Sequence, residues 1–439
     1  MDYIREKIKL DLRCWQRTDL FSDIGVALAS STGPYGDAIP DSIVEANTAR
    51  IALRNAKKNV RSKFIQSVGF TANGRAAMKR KFEVIPWIGV TELPESYPPL
   101  NTWVYENPGI GERWREHLES GPQPDQRHKR HPMMQVDSDR IVQDVEVGKE
   151  GVFYDAKTGK IIAVACRNFC PEEGVLPAID GIIADEVESR KSARLEDPGS
   201  LVQIGYSAGA RDAPAFHWVR NLTKKLPDQV VADKDYQSSS AFALLWNLCC
   251  DFLPKEIMED FDQFLGDCNM VRMKSGQGAV SEFIAGEGVG THGEYTVRIG
   301  DDEFIFKDAE MAPPSGVFGQ NYSSPTHVEH QPHTYALAWT VRRDHPSDAG
   351  GHFYIGSYGI RIQAAANSLV IWRPTDVHCT SLQHLDPHDT NPAFLQRGLA
   401  IVTPNRLPGV WIKYWNAEYN NQECLKFLAE EKHGIDAIL

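Results

Sequence analysis

A chain of 439 residues with 42% hydrophobic and 24% charged residues carries enough apolar mass for a globular core, which excludes wholesale disorder. Its formal net charge of −12 argues against a protein built to coat nucleic acid or an anionic membrane, while leaving room for a local basic face. The opening MDYIREKIKLDLRCW has no apolar leader, and no eighteen apolar residues run together anywhere. The eight cysteines form no Cys-x-x-Cys pair, so zinc and thioredoxin-like readings fall away and reduced thiols are expected. The expectation is an intracellular protein, cytoplasmic or nuclear, with no membrane partner.

Residues 41–66 read as a helix, with Asp41 or Ser42 as N-cap. Between Ala46 and Lys81 lie Arg50, Arg54, Lys57, Lys58, Arg61, Lys63, Arg75, Lys79, Arg80 and Lys81, and no acid. Such a run is ordinarily a solvated face; a nucleic-acid footprint is the sharper alternative. Residues 90–135 are rich in Pro, Gly and charge and read as loops around short helices. Gly151 to Arg167 alternates about the turn AKTGK, a hairpin. From Ser238 to Leu265 two helices are expected, broken at Pro254, with Phe242, Leu245, Trp246 and Leu253 on the buried face.

From Gly293 the pattern changes. Seven or so short runs with β character follow, among them GEYTVRI, TYALAWTV, NSLVIWRP and RGLAIVTP, separated by Gly, Asp, Asn and Pro. This predicts an α+β chain whose C-terminal half is a sandwich or barrel of jelly-roll type. The expected division is an accessory region at 1–230 with the basic helix and hairpin, a β-rich domain at 231–420, and a helical tail at 421–439.

Within the β-rich half, His327-Val328-Glu329 precedes His378 by 51 residues. Residues two apart on a strand point the same way, so His327 and Glu329 can reach one ion. Two imidazoles and a carboxylate on one face of a metal are the donor set of a non-haem iron site. Arg397 starts a later strand, and its planar fork suits a carboxylate. Tyr322 could add a hydroxyl to the same ligand.

The segments THVEHQPH, GGHFYI, SLVIWRP, VHCT and QRGLAIVT resemble, in that order, the motifs of the Fe(II)/2-oxoglutarate-dependent dioxygenases. Gly350 to Ile355 and the flanking YGIRI look like the TET/JBP-like and related fungal members. The resemblance spans roughly residues 290–410. It implies a double-stranded β-helix holding Fe(II) through His327, Glu329 and His378, with 2-oxoglutarate anchored by Arg397 and assisted by Tyr322. Molecular oxygen and an unidentified substrate would be the partners, and a modified nucleobase is one substrate the resemblance leaves open. Glu329 stands where Asp is commoner, and the 19 residues from His378 to Arg397 are a longer gap than usual. Demethylases and hydroxylases of the JmjC type also use His-x-Glu and His, with a lysine for the co-substrate.

Two other function classes compete. Gly205-Tyr206-Ser207-Ala208-Gly209 after the apolar run SLVQI is a GxSxG pattern, which in a serine hydrolase sits between a strand and a helix. A non-catalytic β-helix used for binding would need neither metal nor turnover. His384-Leu385-Asp386 repeats the His-x-Asp pattern, but only six residues follow its partner His433, too few for a closing strand.

Overall fold

The computed structural model describes residues 41–67, 71–121, 130–210, 213–274, 291–389, 392 and 394–416. The chain divides into two units, Met1–Ile65 and Gln66–Leu439. All that is described of the first, residues 41–65, belongs to helix α1 (Asp41–Ser67), which matches the helix expected over 41–66.

The second unit opens with helix α2 (Ala72–Glu83), capped by Thr71, whose side chain accepts from the Gly74 amide at 3.0 Å. Strands β1 (Trp87–Val90), β2 (Trp103–Tyr105), helix α3 (Pro108–Arg115), β3 (Met133–Gln135) and β4 (Gln143–Val145) follow. The expected hairpin is β5 (Gly151–Asp155) and β6 (Ile161–Cys166), and Gly159 supplies the positive φ of 73° that its turn requires. Helix α4 (Leu176–Ser189) leads to β7 (Ser200–Gly209) and β8 (Pro214–Trp218). The two expected helices are α5 (Asp228–Phe252) and α6 (Lys255–Asp267), separated at Pro254. Then come β9 (His292–Ile299), β10 (Asp302–Glu310), β11 (Ser315–Gln320), β12 (Ser324–His327), β13 (Ala336–Arg343), β14 (Phe353–Ile355), β15 (Ile360–Ile362), β16 (Ser368–Trp372), β17 (His378–Thr380), β18 (Gln396–Ile401) and helix α7 (Leu407–Trp415).

The architecture is mixed helix and sheet. Eight strands, β11 to β18, divide four and four between two sheets, changing sheet at every step except from β14 to β15. The larger carries the run β16-β13-β18-β11 and the smaller the run β12-β17-β14-β15, all antiparallel. Apolar side chains between them, including Phe153, Ala163, Ala336, Ile355, Ile360 and Trp372, form one core. Helix α4 covers the outer face of the larger sheet over β7, β11, β13 and β18, and α5 packs against α4 and β9.

The expected boundary near residue 230 does not divide this structure. Strands β1, β5 and β6 extend the larger sheet beyond β16, β7 and β8 extend it beyond β11, and β4 extends the smaller one. The reason is physical: β16 and β11 would otherwise present unpaired N–H and C=O groups, and strands from the first half of the chain satisfy them. Residues 87–218 are thus structural members of the β-rich domain. The tail expected at 421–439 lies outside the described residues.

The GxSxG segment is likewise corrected. Gly205–Gly209 lies inside β7, which pairs antiparallel with the next strand, β8, with Ser207 opposite His217. The Ser207 hydroxyl accepts from the Gly209 amide at 3.2 Å, and His217 Nδ1 contacts the Trp218 carbonyl at 2.8 Å. A nucleophile elbow requires a helix at that point, and a hairpin stands there instead. No helix among the described residues is long and apolar enough to cross a membrane.

Candidate metal centre

The site begins with register. Strands β12 and β17 pair so that His327 and His378 are direct partners, with ring centroids 4.4 Å apart. Glu329 lies two residues past the end of β12, its amide bonded to the Pro374 carbonyl at 2.8 Å, which ties it to the turn before β17. One ligand atom from each of His327, Glu329 and His378 lies within 4.8 Å of the others, and no other group of three such residues is found among the described residues.

Both imidazoles are oriented the same way. His327 Nδ1 sits 2.8 Å from the Pro325 carbonyl and His378 Nδ1 2.8 Å from the Asp376 carbonyl. A carbonyl can only accept, so each Nδ1 carries a proton and each Nε2 is the nitrogen left to bind a metal in the neutral ring. His327 Nε2 lies 3.6 Å from Glu329 Oε1. His378 is only 3% exposed, with the Phe353 and Trp372 rings each 5.8 Å away.

Electrostatics follow from this packing. Burial works to raise the Glu329 carboxyl, but the His327 ring, His378 and Arg194 hold it down to about 2. Burial and the neighbouring His327 push His378 down to about 4, so it is neutral at physiological pH. The Glu329 carboxylate draws His327 the other way, toward its protonated form against the lowering effect of burial, so a borderline divalent cation takes this set by displacing the His327 proton.

Two cavities meet at the cluster. The outer, about 410 Å³, has Asn101, Trp103 and Arg130 in its wall. The inner, about 350 Å³, runs between the sheets past Thr340, Thr380 and Gln396 to Ser368 and Arg167. His327, Glu329, Tyr322, Ser324 and Arg194 border both, and His378 borders the inner one.

The remaining expected residues fare differently. Tyr322 reaches both cavities, but its hydroxyl donates to Asp197 Oδ2 at 2.6 Å and is committed there. Arg397 requires correction as a co-substrate anchor. On β18, Gln396 and Ala400 face the inner cavity; strand alternation therefore turns Arg397 to the opposite face. There its Nη1 donates to Asp180 of α4 at 3.1 Å and its Nε to Gln320 at 2.6 Å. Arg397→Met should therefore lower stability by about 1.5–3 kcal/mol, the value of hydrogen bonds to charged groups, and leave ligand affinity unchanged. Denaturant titration of Arg397→Met, Asp180→Asn and the double variant checks this: the two losses should be strongly non-additive.

Two arginines border the inner cavity, Arg194 at the end it shares with the outer one and Arg167 at the far end, and the sequence reading passed over both. Arg167 directly follows β6 and is 6% exposed. Its Nη1 donates to Ser368 Oγ at 3.1 Å, its Nη2 to the Gln363 carbonyl at 2.8 Å, and its Nε to the Lys149 carbonyl at 3.0 Å. A charge placed directly after six buried apolar residues was the available signal.

Glu106 was also missed. It stands behind β17, where its Oε1 accepts from Tyr354 at 2.9 Å and from Ser381 at 2.5 Å, while its Oε2 is buried without a partner. Burial pushes its carboxyl up to about 7, against the lowering pull of the Ser381 and Tyr354 hydroxyls. The folded protein therefore holds a proton that the unfolded chain releases above its ordinary 4.5. This contribution to stability is complete below that pH and is lost as pH rises through about 7, a difference of about 3 kcal/mol. Glu106→Gln should flatten the dependence, with denaturation midpoints at pH 5 and pH 8 drawing together.

No protein-family model matches the chain, and no curated protein matches it. Among solved structures, NgTET1 in complex with 5mC DNA is similar over 67% of this chain and 87% of its own, at 8% identity and a TM-score of 0.36. A 2OG-Fe(II) oxygenase family oxidoreductase from Burkholderia pseudomallei aligns over 56% of this chain and 87% of its own, at 9% identity and a TM-score of 0.28. A Pseudomonas putida prolyl-4-hydroxylase aligns over 55% and 92%, at 11% identity and a TM-score of 0.26. Likeness at this level assigns no activity, which has to be argued from the site.

Proposed function

We propose that this chain is an Fe(II)/2-oxoglutarate-dependent oxygenase built on a double-stranded β-helix, with His327, Glu329 and His378 as metal ligands. One observation carries the reading: two histidines paired across a strand register, each held by the carbonyl two residues before it, aim their free nitrogens toward one carboxylate. The division of eight strands four and four between two antiparallel sheets, with this cluster where the two cavities join, supports the fold assignment.

The donor set fits Fe(II): two nitrogens and one oxygen on one side leave the other positions open. Bound there with 2-oxoglutarate, the metal would supply oxygen activation for attack on a substrate C–H bond. The chain's own part is positional. The Pro325 and Asp376 carbonyls fix the tautomers, and Phe353 and Trp372 keep water from the buried ligand His378. The inner cavity takes the co-substrate, with Arg167 and Ser368 in place of Arg397 as the pair that meets its far carboxylate. Among the described residues no lysine lines that cavity, which favours the arginine form over the JmjC form.

The outer cavity is where the group to be oxidised would enter, and a modified nucleobase is one substrate to test there. Purification without oxygen, followed by metal analysis and a succinate assay with 2-oxoglutarate, tests the reading. Stoichiometric Fe(II) binding and succinate release are expected, and a protein with neither would return the chain to the class of binding modules.

A further inference from the structure

The basic run of the sequence is absorbed by nothing in the metal centre, and the structure sorts its members. Lys81 is used inside the fold, donating to the Arg167 carbonyl at 2.9 Å and to that of Asn168. Helix α1 is different. Arg54, Lys58, Arg61 and Lys63 are exposed on it, and from Ala46 to its end it holds six cations and no acid, in a chain of net charge −12.

Spacing decides what such a helix can contact. Arg50, Arg54, Lys58 and Arg61 stand at i, i+4, i+8 and i+11, which places them in one row along one face, with Arg50 half-buried and engaged within the protein and the other three exposed. At about 1.5 Å per residue the row is roughly 16 Å long. A nucleic-acid duplex carries one charge per about 1.7 Å of axis, so the row matches some ten phosphates in length. Like charges four apart oppose helix formation, and a polyanion along the row would relieve that repulsion.

The opposite face separates two polyanions. A helix that lies on a membrane needs an apolar band opposite its cations. Here the face directly opposite carries Ala52, Asn55, Ala56, Asn59 and Lys63, and the apolar stripe along one flank, Ala49, Leu53 and Phe64, ends in a phenylalanine that is buried within the protein rather than offered to a bilayer. We infer that α1 is a docking element for the phosphate backbone of nucleic acid, independent of base sequence and of the iron reading. Such a contact holds the chain on a polymer without itself reading it.

The test uses the full chain and a fluorescein-labelled 30-base-pair DNA duplex, with anisotropy read across a salt series. Wild type should bind with a Kd on the order of 10⁻⁴–10⁻⁶ M, and log K should fall steeply with log salt. Arg54→Gln/Lys58→Gln/Arg61→Gln removes three exposed charges and should weaken binding at least tenfold at about 0.1 M salt, with the slope smaller by about 2.7. Circular dichroism should show the fold unchanged, and Asn55→Gln/Asn59→Gln on the far face should bind as wild type. Unaltered duplex binding by the triple variant overturns the inference. So does a wild type that ignores the duplex, including one that binds phosphatidylserine vesicles instead.

Discussion

His378→Ala should give a folded protein that neither retains Fe(II) nor forms succinate from 2-oxoglutarate. The side chain is buried and its Nε2 is free, so alanine removes a donor that no neighbouring residue can replace. Loss of an outer-shell partner already costs about 10–100-fold in metal affinity; loss of a ligand should cost at least on the order of 100-fold. Iron content after anaerobic reconstitution and succinate measured by NMR give the two readouts, and circular dichroism guards against unfolding. Succinate release at the wild-type rate would remove the triad, and the oxygenase reading with it.

The second large effect concerns the inner cavity. Ser368→Ala deletes the hydroxyl that accepts from Arg167 Nη1 and faces the space assigned to the co-substrate. A lost hydrogen bond to a charged group is worth about 1.5–3 kcal/mol, so the Kd for 2-oxoglutarate should rise at least tenfold. Arg167→Lys should weaken binding further, since an ammonium cannot reproduce the planar fork. Arg167→Ala is the wrong experiment, because it would strand the carbonyls of Lys149 and Gln363 without a donor. Calorimetry with 2-oxoglutarate and Mn²⁺ in place of iron reads affinity without turnover. Wild-type affinity in both Ser368→Ala and Arg167→Lys would clear this pair of the role.

Taken with Arg397→Met, these variants separate two arginines that look alike in sequence. Arg397 begins a strand at the spacing the resemblance leads one to expect, and Arg167 ends a hairpin far earlier in the chain. Only the pleat of β18 against α4 turns the first toward Asp180 and leaves Gln396 inside.

What the sequence determined by itself was local. Periodicity and turn chemistry located α1, the β5–β6 hairpin, the helix break at Pro254 and the run of strands after residue 291, because each depends on neighbours a few residues away. The three clustered residues His327, Glu329 and His378 were also legible from their spacing, although β12 ends at His327 and a bond from the Glu329 amide to Pro374, not strand alternation, holds the carboxylate in place. Tertiary structure decided the rest. The outer partners of β11 and β16 come from residues 161–209, a pairing set by unsatisfied edges rather than by any local pattern. The face that Arg397 presents, the burial of Arg167 and the proton on Glu106 all depend on groups more than a hundred residues away, which no window of sequence contains.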